Sequence, residues 1–122
     1  MALPNAQAAQ RAPVVLIGSW QATEIGGSPA NGAVDSNLTV ENDGSVFGSA
    51  GCNRVMGRLK GDREKVSFAP LATTKKLCPE DVMKQEQAFL AALGAAKAYV
   101  ANKVSLELMD DHGKVLVKMT RQ

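Results

Sequence analysis

Short segments in which apolar and polar residues alternate, separated by Gly, Asn and Asp, are the feature that most limits how this chain can fold. Residues 104–109 alternate in this way, and so do residues 115–119. The sequence Asp-Asp-His-Gly at 110–113 lies between them and is typical of a turn. Because successive side chains of a strand point to opposite faces, this region predicts an antiparallel hairpin with one apolar face.

A second hairpin is predicted around residues 42–44, whose sequence is Asn-Asp-Gly. Gly adopts positive φ without steric cost, and Asn and Asp tolerate it better than most residues. Alternating segments flank this turn on both sides. In all, strands are predicted at 14–25, 38–41, 45–50, 66–68, 71–74, 98–101, 104–109 and 115–119.

One helix is predicted, over residues 79–93. Pro79 suits the first helical position, where its missing N–H leaves no hydrogen bond unmade, and two acidic residues follow it. Gly94 suits the end of the helix. The predicted apolar stripe of this helix consists of Val82, Phe89, Leu90 and Leu93.

Glu86 falls within that stripe, between Val82 and Phe89. A carboxylate at a junction between helix and sheet destabilises the fold unless it is paired or hydrogen-bonded. Two interpretations stay open: Glu86 reaches solvent at the edge of the stripe, or it pairs with Arg54 or a nearby backbone N–H. The second would be an architectural contact rather than a catalytic one.

Length and composition fit a single domain with its own core. The chain has 122 residues, of which 45% are hydrophobic, and a net charge of +2. Aromatic residues make up 4%, too few for a row of base-stacking side chains, and the charge is mild, so nucleic-acid binding is not predicted. No segment approaches the roughly 20 apolar residues of a membrane-spanning helix.

Residues 1–13 contain two prolines and few bulky apolar residues, so we predict a loose tail there and a folded domain over 14–122. The apolar stretch of a signal peptide is missing, yet Ala6-Gln7-Ala8 resembles the small-x-small end of a cleavage site. Two interpretations stay open: a start near a mature terminus, or the frayed end of a cytosolic protein. Membrane attachment would require a lipid anchor upstream.

Residues with catalytic or metal-binding chemistry are few. A catalytic cysteine needs a base within hydrogen-bond reach, and the single histidine, His112, lies in a predicted turn. Structural zinc takes about four Cys or His ligands, more than the widely separated Cys52, Cys78 and His112 supply. The Asp110-Asp111 pair lacks the ligand repeat of an EF-hand. We therefore predict no catalytic residue, no metal site and no cofactor.

Two stretches resemble the signature blocks of the META/HslJ family. Residues 48–54, Gly-Ser-Ala-Gly-Cys-Asn-Arg, match its G-x-x-G-C-N-R block, and residues 71–79 match its L-A-x-T-[RK]-x-x-C-P block. Ordered matches at consistent spacing over about 16–119 make the resemblance specific. The structural signature residues that we single out are Gly48, Gly51, Asn53, Arg54, Thr74, Pro79 and Glu86.

The resemblance implies a mainly β fold: a curved or barrel-like antiparallel sheet of lipocalin-like topology, with one α-helix packed against it. It also implies a periplasmic or cell-envelope protein, secreted or lipoprotein-anchored, that is connected with the stress response. The family has no established catalytic mechanism or ligand. We expect Asn53 and Thr74 to hydrogen-bond to backbone and shape turns, and Gly48 and Gly51 to permit a bulge or a close strand approach.

Cys52 and Cys78 are 26 positions apart, one in each signature block. An even cysteine count in a small domain fits a disulfide in an oxidising compartment, although free thiols are common in cytosolic chains. The spacing is not the C-x-x-C of a redox dithiol. A disulfide is the leading interpretation, and paired reduced thiols and a reactive cysteine are the alternatives.

Residues 54–76 contain seven basic side chains and two acidic ones, a net charge of +5. A solvated surface is the default interpretation. The alternative is a patch for anionic lipid headgroups, lipopolysaccharide or an acidic protein, whose binding should weaken as salt is added. The residues assigned to this patch are Arg54, Arg58, Lys60, Lys75 and Lys76.

The leading functional hypothesis is a non-enzymatic extracytoplasmic domain with a binding or protective role, whose partner is an envelope protein or an anionic surface. A second hypothesis is an inhibitor that inserts the loop at 26–34 into the active site of a secreted hydrolase. The third is a hydrolase that uses Cys52 or an Asp. Labelling of the Cys52 thiol in the native protein would favour the third.

Overall fold

The computed structural model describes residues 12–122, which form ten strands, one α-helix and a short 3-10 helix. Most of the predicted tail, residues 1–11, lies outside the described residues. The helix, α1, spans Glu80–Ala95. The strands are β1 (Gly18–Ile25), β2 (Ser28–Pro29), β3 (Asn37–Val40), β4 (Ser45–Ser49), β5 (Arg54–Gly61), β6 (Val66–Phe68), β7 (Ala72–Thr73), β8 (Ala98–Ala101), β9 (Ser105–Met109) and β10 (Val115–Arg121).

All strand pairs are antiparallel, in the order β6-β5-β4-β3-β1-β10-β9-β8, with β2 beside β1 and β7 beside β5. The two ends of this order approach each other. Val66 donates its N–H to the carbonyl of Lys97 at 3.2 Å, and Tyr99 donates its N–H to the carbonyl of Glu64 at 3.0 Å. The sheet therefore closes nearly into a barrel with α1 packed against it, which confirms the predicted fold class.

Both predicted hairpin turns are present, and local chemistry explains them. In the β3–β4 turn Gly44 has φ 91°, and Asp43 Oδ1 accepts the N–H of Ser45 at 2.9 Å. In the β9–β10 turn Gly113 has φ 81°, and Asp110 Oδ1 accepts backbone N–H groups two and four residues later. Each turn combines an aspartate that bonds its own loop with a glycine at positive φ.

The predicted strand at 14–25 is wrong at its start, because Val14–Leu16 form a 3-10 turn and β1 begins at Gly18. Side-chain N–H groups donate hydrogen bonds to the backbone carbonyl oxygens in and just after this turn. The Trp20 indole N–H donates to Leu16 O at 2.9 Å, and Arg121 donates to the carbonyls of Val15 and Ile17. The Arg121 guanidinium also lies 4.2 Å from the centre of the Trp20 ring, a cation–π contact that covers the core.

Helix α1 begins one residue later and ends two residues later than predicted. Pro79 is the cap residue, and its carbonyl accepts the N–H groups of Val82 and Met83. Phe89 and Leu93 are fully buried against the sheet, as the apolar stripe indicated. Within residues 12–122, no helix has the length and apolarity that a membrane crossing requires.

Strand β5 was not predicted, although it pairs with three other strands, β4, β6 and β7. Val55 and Leu59 point inward and are buried, and Gly57 lies between them. A Cβ at Gly57 would lie 2.6 Å from Leu71 Cδ2, so the Leu71 side chain occupies the space that a residue at 57 would otherwise fill. The alternate positions of the strand are exposed: Arg54, Met56, Arg58 and Lys60.

Candidate functional site

The two signature blocks meet at a disulfide between Cys52 and Cys78, whose Cα atoms are 6.0 Å apart. The bond joins the segment between β4 and β5 to the residue that precedes Pro79 and α1. The predicted disulfide is thus confirmed. Because both sulfurs are oxidised, neither cysteine is a thiolate nucleophile in this state.

Glu86 lies against the backbone of Cys52 and Asn53 and is only 4% exposed. Its Oε1 accepts the backbone N–H groups of Cys52 at 2.9 Å and Asn53 at 2.6 Å, and its Oε2 accepts Asn53 Nδ2 at 2.8 Å. Of the two interpretations of Glu86, burial against backbone N–H groups is the one observed. Arg54, the other partner considered, is exposed on β5.

The Asn53 side chain is held in one orientation by further contacts. Its Oδ1 accepts the Thr74 hydroxyl at 2.9 Å and the Lys76 N–H at 2.6 Å, while its Nδ2 also donates to Lys76 O at 3.1 Å. Thr74 Oγ1 in turn accepts the N–H of Arg54 at 3.0 Å. We call Cys52, Asn53, Thr74, Lys76 and Glu86 the Asn53–Glu86 cluster.

Two signature glycines allow close approaches of the backbone, Gly51 to this cluster and Gly48 to strand β3. Gly51 has φ 152°, and a Cβ there would lie 3.0 Å from Glu86 Cβ. A Cβ at Gly48 would lie 2.3 Å from the carbonyl oxygen of Asn37 on the neighbouring strand. Side chains at either position would push the β4–β5 segment away from α1 or from β3.

Hydrogen bonding decides the charge state of Glu86. Burial opposes the charged form and by itself raises the pKa of the Glu86 carboxyl. The hydrogen bonds from the Asn53 side chain, Asn53 N–H and Cys52 N–H, together with the positive charge of Lys75, outweigh that effect. The pKa of Glu86 therefore lies below its ordinary value of 4.5, and the buried group is a carboxylate at neutral pH.

A pH dependence of stability follows from this shift. Because the pKa of Glu86 is lower in the folded than in the unfolded chain, its stabilisation is fully present above about pH 4.5 and is lost as the pH falls through the folded pKa. We expect the difference in unfolding free energy between the parent and Glu86→Gln to be constant from pH 6 to 8 and to shrink below about pH 4.5. Urea unfolding of both proteins measures it, and a difference independent of pH would contradict the assignment.

The five basic residues of the predicted patch lie on or beside β5. Arg54, Arg58 and Lys60 occupy its outer face, and Lys75 and Lys76 are exposed on the segment between β7 and α1. Arg58 is held in place, since its Nη2 donates to the carbonyl of Asp43 at 2.6 Å and its Nη1 to Ser45 Oγ at 3.2 Å.

Two exposed apolar side chains on this face were not predicted as site residues. Met56 lies between Arg54 and Arg58 on β5 and is 54% exposed, and Phe47, opposite it on β4, is 40% exposed. If residues 54–61 are recognised as a strand, alternation places Met56 on the same outer face as Arg54 and Arg58. Pairing of that strand with β4 then places Phe47 beside Met56.

The remaining sequence candidates lie apart from the cluster. His112 is exposed in the β9–β10 turn, 3.8 Å from an oxygen of Asp111. The loop at 26–34 folds back, with Asn31 donating its N–H to Gln85 on α1 at 2.8 Å. A cleft of about 620 Å³ near the β6–β8 closure includes no member of the Asn53–Glu86 cluster, and its charged lining residues are Lys60, Asp62, Lys65, Lys97 and Asp111.

Comparisons with known proteins support the fold. The family model described as META domain matches residues 14–122. A protein from Burkholderia xenovorans, solved by NMR, is 21% identical, with a TM-score of 0.70 over 98% of this chain and 88% of that one. A DUF4847 family protein from Bacteroides vulgatus ATCC 8482 is 18% identical, with a TM-score of 0.67 over 89% of this chain and 95% of that one.

A further NMR structure is 15% identical, with a TM-score of 0.66 over 99% of this chain and 96% of that one. At these identities the structural likeness shows the fold alone. The search of curated proteins gave no significant match.

Proposed function

The chain belongs to the META domain family, and from that premise we propose that it is a non-enzymatic extracytoplasmic domain that binds an anionic partner in the cell envelope. In this role it protects the envelope under stress. Secretion or a lipid anchor upstream of this sequence would bring it there.

The observation that carries this proposal is the disulfide together with the Asn53–Glu86 cluster. Both carboxylate oxygens of Glu86, both polar atoms of the Asn53 amide and the Thr74 hydroxyl are engaged within the fold. Polar side chains that act on a substrate need capacity to bind it or to exchange protons with it. Polar groups whose hydrogen bonds are all made within the fold instead form a rigid scaffold, which suits a binding domain.

The disulfide also supports the proposed location. Structural disulfides persist in oxidising compartments such as the periplasm and are rare in the cytosol, where thiols are kept reduced. Cys52–Cys78 spans two signature blocks and is tied to a buried hydrogen-bond network, so it has the character of a structural bond.

The row of cations on β5 supports an anionic partner. Arg54, Arg58 and Lys60 project from one face of a single strand, which concentrates positive charge on a chain whose net charge is only +2. Such a surface attracts anions over a range set by the ionic strength.

Cell fractionation combined with thiol alkylation tests the proposal. We expect the native protein in the envelope or periplasmic fraction, unlabelled by maleimide without reductant and doubly labelled after reduction and unfolding. A periplasmic and a cytosolic marker protein control the fractionation. Recovery in the cytosol with two free thiols would contradict the proposed location.

A further inference from the structure

We propose that the outer face of β4, β5 and β7 docks on the surface of an anionic lipid bilayer, with Phe47 and Met56 entering the interfacial layer. The inference rests on the proposed function and names its partner. We call this surface the β5 face; it consists of Phe47, Arg54, Met56, Arg58, Lys60 and Ala72.

The apolar part of the β5 face is a row across three strands. Phe47 on β4 pairs directly with Met56 on β5, and Met56 pairs directly with Ala72 on β7. Directly opposite residues have Cβ atoms about 5 Å apart, so these side chains form one patch rather than isolated exposures. The exposed fractions of 40% for Phe47 and 54% for Met56 leave much apolar surface in water, although both could have been polar at no cost to the core.

Cations border this apolar row. Arg54 and Arg58 each lie two positions from Met56 and therefore point to the same side, and Lys60 continues the series. Beyond β7 the chain adds Lys75 and Lys76 and then Leu77, which is 92% exposed. Two acidic residues lie near the Arg58 end of this row, Asp43 next to Arg58 and Glu41 next to Ser45, against the three cations Arg54, Arg58 and Lys60.

This arrangement matches what a membrane interface offers. Anionic headgroups neutralise cations at the surface, while apolar side chains set between those cations enter the boundary with the acyl chains. A second copy of the chain would place arginines against arginines. An acidic protein would pair with Arg54, Arg58 and Lys60 but would offer no acyl boundary for Phe47 and Met56 to enter, and the experiments below separate it from a bilayer.

Vesicle co-sedimentation of the oxidised protein tests the inference. The probes are vesicles of phosphatidylglycerol and phosphatidylethanolamine, with pure phosphatidylcholine vesicles as the neutral comparison. We expect binding to the first and not the second, and weaker binding as salt is raised from 50 to 300 mM. Each cation removed should weaken binding about fivefold, so Arg54→Gln/Lys60→Gln should weaken it about 25-fold.

Apolar substitutions separate insertion from electrostatic attraction alone. Phe47→Ser/Met56→Ser should weaken binding about tenfold even at low salt. Met56→Ser alone, at an exposed position, serves if the double variant unfolds. The matched control is Lys103→Gln/Val104→Ser on the β8–β9 turn, which removes one cation and one side chain that is 68% exposed and should leave binding unchanged.

Three outcomes would overturn the inference: no binding to anionic vesicles at low salt, equal binding by the parent and Met56→Ser, or a solution dimer that Met56→Ser dissociates. Salt-sensitive retention on an acidic polypeptide resin without vesicle binding would likewise exclude the bilayer. That last result would leave the proposed anionic partner standing, so the two proposals fail separately.

Discussion

Glu86→Gln is expected to lower the free energy of unfolding by about 3 kcal/mol at pH 7, because it changes a buried acceptor of three hydrogen bonds into a group that is half donor. The amide oxygen of Gln can still accept the N–H groups of Cys52 and Asn53, but its NH2 then faces Asn53 Nδ2, a second donor. The Asn53 amide cannot rotate to relieve this, since its oxygen already accepts Thr74 Oγ1 and the Lys76 N–H.

Urea unfolding at pH 7 measures this loss. The matched control is Glu41→Gln, the same change at an exposed carboxylate after β3, which should change stability by less than about 0.5 kcal/mol. A Glu86→Gln protein as stable as the control would show that the cluster tolerates a neutral side chain, and the account of Glu86 given above would be wrong.

Cys52→Ser/Cys78→Ser is expected to lower the free energy of unfolding by about 3–4 kcal/mol. In the loop-entropy account, a bond that spans 26 positions restricts the unfolded chain by this amount. A domain of this size has a total stability of about 5–15 kcal/mol, so the loss is a large share of it.

Parallel denaturation of the oxidised parent, the reduced parent and the double variant measures the contribution of the bond. The reduced parent and the double variant should unfold at similar urea concentrations, both well below the oxidised parent. A loss below 1 kcal/mol would instead mean that the Asn53–Glu86 cluster holds the two blocks together without the covalent link.

Elements whose cause is local could be predicted from the sequence. The turns at 42–44 and 110–113 each carry an aspartate and a glycine in positions that need little tertiary support. Helix α1 was found because its apolar spacing and the residues at its start belong to the helix itself. The family motifs added the closure of the sheet, which short alternating strands do not determine.

Strand β5 could not be found in this way, because the pattern that would identify it is interrupted by its packing. Its inward positions read Val, Gly, Leu and Gly from 55 to 61, so apolar alternation is lost at every second inward residue. The reason lies elsewhere in the chain, where Leu71 fills the space over Gly57. Missing β5 also concealed the pairing of Met56 with Phe47.

The geometry of the Asn53–Glu86 cluster could be predicted only in part from the sequence. A buried carboxylate at 86 implied a hydrogen-bond partner, and a backbone N–H was one of the alternatives. That the partner also includes the Asn53 amide depends on how α1 docks against the β4–β5 segment, more than thirty residues away in sequence. No local sequence pattern predicts a contact between two segments that are so far apart in the chain.

The near-closure of the sheet has a consequence for how this domain can meet other molecules. A nearly closed sheet has few unpaired backbone N–H and C=O groups. A peptide therefore finds no long edge strand along which it could pair as an additional strand. Two of the margins that remain, Ser28–Pro29 and Ala72–Thr73, are each two residues long, and the first contains a proline that has no N–H to donate. Recognition is thereby shifted from main-chain pairing to the side chains on the outer wall.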